Sequence, residues 1–211
     1  MKTASSQGTR RGRPPRSEQQ AEASRGLILE SARRLFAEEG YEGVSMRKIA
    51  TMAQCSPAAL YTLFPNKRQL LRHIWEEVFS ELFGTLEAAY AQHAPSARVE
   101  ALCLAFVDFW LQRPDDYRAI FLIQDRLQGA QDSYFVDSSD VLSRLEILRR
   151  AIVEAQQRGE LRAGDPGAIQ NLLLCGVQGI ALNLITIPEY PWGDPDRIKR
   201  DTIAALIAGL R

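Results

Sequence analysis

SMRKIATMAQCSPAALYTLFPNK, residues 45–67, reads as two short helices joined by a tight turn. Ser45 offers its hydroxyl to an unpaired backbone N–H, and Met46, Ile49, Ala50 and Ala53 follow at spacings of three and four, so one face of the first helix is apolar. After Gln54-Cys55-Ser56 a second hydroxyl cap precedes Pro57, whose fixed φ and missing N–H suit a first helical position. Leu60 and Phe64 lie one turn apart and face inward, while Pro57, Ala58, Tyr61 and Thr62 fall on the other side. Pro65 ends this second helix, and Asn66 with Gln69 has the capping-box spacing that starts a third. A helix lying in the DNA major groove, about 12 Å wide, needs small outward side chains, which Ala58 and Ala59 supply. Periodicity alone fits a helical hairpin inside a core equally well.

Wider context separates the two readings. IATMAQCSPAALYTLFPNKRQLL, preceded by a helix ending in FAEEGYEGVSMRK, resembles the N-terminal domain of the TetR/AcrR family of bacterial transcription regulators. The resemblance spans residues 22–75, with Phe36, Gly40, Tyr41, Ser45, Ile49, Ala50, Ser56, Leu60, Tyr61, Phe64, Pro65, Lys67 and Leu70 in register. Two positions depart from it. Gln54 stands where the turn usually has Gly, and must accept whatever backbone geometry the turn demands. Pro57 replaces a small or basic residue and removes one donor.

The resemblance implies an all-α fold: an N-terminal three-helix helix-turn-helix domain joined by a connector helix to a C-terminal helical effector-binding and dimerisation domain. It also implies a homodimer, formed through the two C-terminal helices, on a pseudo-palindromic double-stranded DNA operator. A small-molecule effector would control binding, most simply by releasing a repressor, and the place would be the bacterial cytoplasm, at the nucleoid. Ser45, Tyr61 and Lys67 match family positions that hold phosphates. Arg47 and Lys48 on the first helix and Ser56 and Pro57 at the second complete the candidate contacts, with Ala58, Ala59 and Thr62 facing base edges.

The formal net charge of +0 argues against a nucleic-acid binder until charge is divided by region. Residues 1–80 hold 13 Lys/Arg against 8 Asp/Glu; the remainder holds 13 against 18. The front is basic and the back acidic. Three cysteines, Cys55, Cys103 and Cys175, have no metal or disulfide spacing and fit a reducing compartment. No leader pattern opens the chain, and the apolar window 172–187, interrupted by Gln178 and Asn183, is short for a membrane span, so a soluble protein with no membrane partner is expected.

In chain order, residues 1–17 read as a disordered basic arm, in which Arg11 and Arg13 within Arg-Gly-Arg-Pro suit a narrow minor groove or, as readily, a solvated tail. Residues 18–72 form the expected DNA-binding domain, with Leu27, Ile28, Ala32, Leu35 and Phe36 on one face of its first helix, Gly40 at its end, and Arg33 and Arg34 on its solvated side. Residues 73–211 form the second domain. A long helix after Asn66 connects the two, its apolar stripe too wide for a lone solvent-facing helix. Further helices are expected at 97–112, 115–127, 139–158, 166–187 and 196–209, with Asp165-Pro166 and Asp194-Pro195 as strong starts and Gly176 and Gly179 allowing close helix approach. The segment 129–138 is either a loop over a cavity or an ordinary surface connection.

Cys103, Phe106, Trp110, Phe121, Tyr134, Gln178 and Asn183 are candidate lining for an apolar effector pocket, although aromatics at helical spacing are more often plain core. Catalysis and metal binding have little support: the histidines are His73 and His93, and His73 with Glu77 at i, i+4 gives two ligands, not a site. Nothing calls for a cofactor. Two other rivals are a redox sensor acting through Cys55, for which buried packing is the plainer account, and a helical ligand-binding protein that no longer binds DNA.

Overall fold

The computed structural model describes residues 18–123, 134–138 and 141–211, and among these there is helix and no strand. The expected arm, with Arg11 and Arg13, and residues 124–133 of the expected 115–127 helix and 129–138 segment lie outside the described residues.

Helix α1 (Glu18–Gly43) buries Ile28, Leu29, Ala32, Leu35 and Phe36, and its regular part ends at Gly40, whose φ of 71° suits a residue without Cβ. Three polar caps then set the next three helices. Ser45 Oγ accepts from the Lys48 N–H at 3.2 Å to start α2 (Met46–Met52). Ser56 Oγ accepts from the Ala59 N–H at 3.2 Å to start α3 (Pro57–Leu63), with Pro57 in its first turn. Asn66 Oδ1 accepts from the Gln69 N–H at 2.8 Å to start α4 (Lys67–Gln92). Between α2 and α3, Gln54 sits at φ 52°, the non-glycine residue in left-handed backbone among those described. The turn imposes on glutamine the geometry that glycine would adopt without strain.

After a 3₁₀ turn at Pro95–Ala97 come α5 (Arg98–Leu111), α6 (Pro114–Phe121), α7 (Phe135–Ser138), α8 (Val141–Arg144), α9 (Glu146–Gln157), α10 (Pro166–Thr186) and α11 (Pro195–Ala208). The helix expected over 139–158 is broken at Leu145. There the Leu148 N–H bonds the Leu145 carbonyl three residues back, at 3.1 Å, a 3₁₀ tightening that bends the run. Helix α5 lies at the centre of the bundle against α4, α9, α10 and α11, and buries Val99, Leu102, Cys103, Phe106, Val107, Phe109 and Trp110.

Helix α1 packs on α6 as well as on α2 and α4. Arg33 makes that seam polar: its guanidinium meets Glu77 of α4 at 3.0 Å and Asp116 of α6 at 3.4 Å. The expectation that Arg33 faces solvent is therefore corrected, because α6 covers that side of α1; Arg34 does face solvent and pairs with Glu38 at 2.8 Å. Burial pushes the Asp116 carboxyl up from its ordinary pKa, and the nearby Arg33 and Arg113 oppose the shift.

Helix α10 has 21 residues and a mean hydropathy of 1.6, enough by length and composition to cross a membrane, and so runs longer than the window read from the sequence. One side of it, with Ile169, Leu173, Val177, Ile180 and Ala181, is buried against α5, α9 and α11. At Gly176 a Cβ would run into a Leu206 methyl, which accounts for the glycine; Gly179 faces open space.

Because Gln54 is exposed in left-handed backbone, Gln54→Gly should raise stability by about 0.5–1 kcal/mol, the relief of strain less the added chain entropy of glycine. Denaturant unfolding measures this, and a fall in stability would contradict the turn geometry.

Candidate nucleic-acid interface and ligand cavity

Among the described residues nothing packs over the outer face of α3. Pro57, Ala58, Tyr61 and Thr62 are exposed, Tyr61 by 48%, while Leu60 and Phe64 are fully buried beneath it. Ser45, Arg47, Lys48 and Ser56 are exposed around this face, and Ala59 and Lys67 are half-buried at its edges. All ten residues therefore sit on or beside one helix-turn-helix. Their free valences differ from what the sequence suggests. The Ser45 and Ser56 oxygens already accept cap hydrogen bonds but keep their O–H donors, suited to phosphate. Thr62 donates its hydroxyl to the Ala58 carbonyl at 2.8 Å, which leaves it a lone pair and a methyl to present outward. Lys48 is ion-paired with Glu39.

Lys67 is more constrained still. Its ammonium donates to the Tyr41 carbonyl at 2.6 Å and the Val44 carbonyl at 3.0 Å, and stands 4.1 Å from the centre of the Tyr41 ring. One of its three donors remains for an outside acceptor. The sequence signal for this staple was present, since Tyr41 and Lys67 both belong to the pattern quoted above, but spacing gives no hint that they touch.

A cavity of about 360 Å³ opens between α4, α5, α6, α7, α8 and α10. Of the seven candidate lining residues, Phe106, Phe121, Tyr134 and Gln178 line it. Cys103, Trp110 and Asn183 do not. Cys103 is 2% exposed, and burial pushes its thiol up to about 12, which keeps it unreactive. Trp110 is fully buried behind the wall, edge-on to Phe106 and Phe121 at 6.2 and 5.1 Å. Asn183 follows Gln178 by five residues, about 140° round the helix, and donates to the Gly179 carbonyl at 2.7 Å. The lining that sequence reasoning missed is chiefly on α4, with Trp75, Phe79 and Leu82, together with Leu174 of α10; Phe135 of α7, within the segment read as a loop over a cavity, lines it too. Phe79 and Phe135 stack at 5.7 Å and Trp75 meets Phe135 edge-on at 5.0 Å.

The groups behind the rival readings have these surroundings. His73 pairs with Glu76 at 3.0 Å, while Glu77 is held by Arg33, so the proposed i, i+4 pair does not form. Among the described residues no three metal-ligating side chains cluster. Cys55 is half-buried against the core.

Comparison with known proteins follows the same outline. Residues 28–74 match the family "Bacterial regulatory proteins, tetR family". The chain is 33% identical over 87 residues to the HTH-type transcriptional regulator AcrR of Shigella flexneri, covering 41% of this chain and 40% of that one. It is 34% identical over 116 residues to the HTH-type transcriptional activator FasR of Mycolicibacterium smegmatis, covering 54% and 51%. The matching stretch thus spans about half or less of these curated relatives. The fold extends further: the transcriptional regulator FadR of Bacillus subtilis, solved in complex with stearoyl-CoA, superposes with a TM-score of 0.74 at 18% identity over 88% of this chain and 99% of that one. Over residues 28–74 the chain thus matches the tetR family of bacterial regulatory proteins, and along most of its length it shares the fold of FadR.

Proposed function

We propose that this protein is a cytoplasmic, homodimeric transcription regulator that binds a pseudo-palindromic operator through α2 and α3, and that it acts as a repressor released when a small, mostly apolar effector enters the α4–α10 cavity. The observation that carries the reading is positional. Helix α3, which carries the exposed small-residue face, ends four residues before α4 begins, and α4 forms a wall of the cavity two turns later. An occupant that moves α4 moves the reading face. Ser45, Lys48, Ser56, Tyr61 and Lys67 are assigned to phosphates, Ala58, Ala59 and Thr62 to base edges, and Arg47 to either. The functional division falls near residue 72, with α4 shared between the halves.

Dimerisation is supported by an unpaired stripe on α10. Leu172, Cys175, Gly179, Leu182 and Thr186 follow spacings of three and four on the side away from α5, with Leu172 and Leu182 50% and 41% exposed. Ala204, Ala205 and Ala208 give α11 a small-residue outer face beside it. An apolar seam of this kind suits the same seam on a second copy, and a four-helix interface would bring two α3 helices to one duplex. The alternative, both faces of α10 buried within one chain, leaves this stripe unexplained. FadR, solved in complex with stearoyl-CoA, supports a small-molecule ligand for a protein of this fold, and FasR, named an activator, marks the sign of regulation as the part least constrained by similarity.

Binding should be tested on operator fragments selected from genomic DNA by the purified protein. Affinity should fall steeply with salt, and salt-independent binding or none would return the chain to a ligand-binding protein without DNA function. Lys67→Ala should weaken all fragments about equally and lower the salt slope by about one, whereas loss confined to one base pair would exclude a phosphate contact. Thr62→Ala should instead change preference at one position of the half-site, by about 1–3 kcal/mol, and uniform weakening would exclude base reading. In light scattering, the double variant Leu172→Glu with Leu182→Glu should elute as a folded monomer that no longer retains operator DNA; a dimer would move the interface elsewhere.

A further inference from the structure

The polar groups of the cavity are few enough to say what its occupant must carry. Among the described residues no lining side chain is charged, so none of them would compensate an ionised ligand. The Trp75 indole N–H is committed to the Ala119 carbonyl at 3.2 Å, and Tyr134 stands 48% exposed at the edge. That leaves the Gln178 amide on the α10 wall.

Its orientation is set from behind. The Tyr117 hydroxyl lies 3.1 Å from Gln178 Oε1 and 3.4 Å from the Gln178 carbonyl, so its single proton faces oxygen either way. Burial pushes the Tyr117 phenol up to about 12, which keeps that proton in place throughout the physiological range. With Oε1 turned to Tyr117, the Nε2 amide turns to the other side, where no described residue accepts from it. A part-buried donor of this kind favours an acceptor.

We propose that Gln178 selects the ligand of this cavity, and that the ligand is an uncharged, largely aromatic molecule bearing one acceptor oxygen, such as a carbonyl or ether, placed against Nε2. Phe79, Phe135 and Trp75 supply the flat apolar surfaces for its rings. Tyr117 is a positioning residue that acts through Gln178. The inference rests on the effector reading, since it names the chemistry the same cavity accepts.

The test uses the full chain and N-phenylnaphthylamine, whose fluorescence rises in apolar sites, displaced by three molecules of one shape: benzophenone with a carbonyl, diphenylmethane without one, and diphenylacetate with a carboxylate. Wild type should take up the dye and release it to benzophenone about three- to tenfold more readily than to diphenylmethane, with no release by diphenylacetate at concentrations where benzophenone saturates. Gln178→Leu should still take up the dye but bind benzophenone and diphenylmethane equally. Equal displacement by these two in wild type, a preference that survives Gln178→Leu, or displacement by diphenylacetate would each overturn the assignment while leaving the effector cavity intact. Failure of wild type to take up any of the probes would overturn the cavity reading and this one with it. The wild-type comparison needs no variant, so it decides the matter even if Gln178→Leu does not fold.

Discussion

The exposed face of α3 and the cavity are coupled because α4 is one helix. Its hydrogen-bonded cylinder runs from Lys67 to Gln92, about 39 Å at 1.5 Å per residue. At its start, Lys67 holds the Tyr41 and Val44 carbonyls at the end of α1, and the Asn66 cap follows directly on α3. In the middle, Trp75, Phe79 and Leu82 face the cavity while Leu71, Ile74 and Val78 are buried. Near its far end, Tyr90 is tied to Glu154 of α9, and Arg98 of α5 pairs with the same carboxylate at 2.8 Å. A helix bound at both ends cannot absorb a displaced wall by shortening; it can only tilt, and close-packed neighbours then move with it.

The second strut is the seam between α1 and α6, and its electrostatics are modest. Arg33 is 28% exposed at its side chain, Glu77 42% and Asp116 17%, so each ion pair is partly screened and worth at most about 1 kcal/mol. At Asp116, burial together with the nearby Glu81 and Asp115 carboxylates outweighs Arg33 and Arg113, and the carboxyl's pKa is raised. Arg33 therefore contributes orientation more than stability: it fixes which turn of α6 lies against which turn of α1. That matters because Ile120 and Phe121, on the same α6, line the cavity.

What the sequence made legible was local chemistry. Ser45, Ser56, Asn66, Asp165 and Asp194 each cap a helix as their side chains dictate, and Gly40 and Gln54 take the backbone that their positions demand. The exposed face of α3 followed from the same spacing that buried Leu60 and Phe64. What stayed hidden was tertiary. The wide apolar stripe of α4 was visible, but a 3.6-residue period cannot separate Phe79, which faces a void, from Val78, which faces core, since both are simply inward. Trp110 and Phe121 look alike in sequence, yet Trp110 is fully buried among α5's neighbours and Phe121 is 36% exposed on α6. Arg33 reads as a solvated arginine because nothing in its neighbourhood announces Asp116, eighty-three residues on. Neighbours across the bundle bury the thiol of Cys103, whereas Asn183 is taken out of reach by its own helix, which turns it away from Gln178 and satisfies its amide at the Gly179 carbonyl.

On the proposed reading, the size of the cavity also limits how an occupant can act. Moving a two-state equilibrium from mostly one form to mostly the other takes about 5.5 kcal/mol of differential binding. At about 25 cal/mol per Å² this is roughly 220 Å² of apolar surface covered in one form and exposed in the other, or half that for each of two ligands on a dimer. A single aromatic side chain buries about 150–250 Å². The required difference is thus close to one aromatic wall closing on the ligand, a scale that Phe135, stacked on Phe79 of α4 and carried by the four-residue helix α7, can supply alone. A polar contact at Gln178 is too small for that task, which leaves it the role of choosing the occupant, while the aromatic wall converts occupancy into movement of α4.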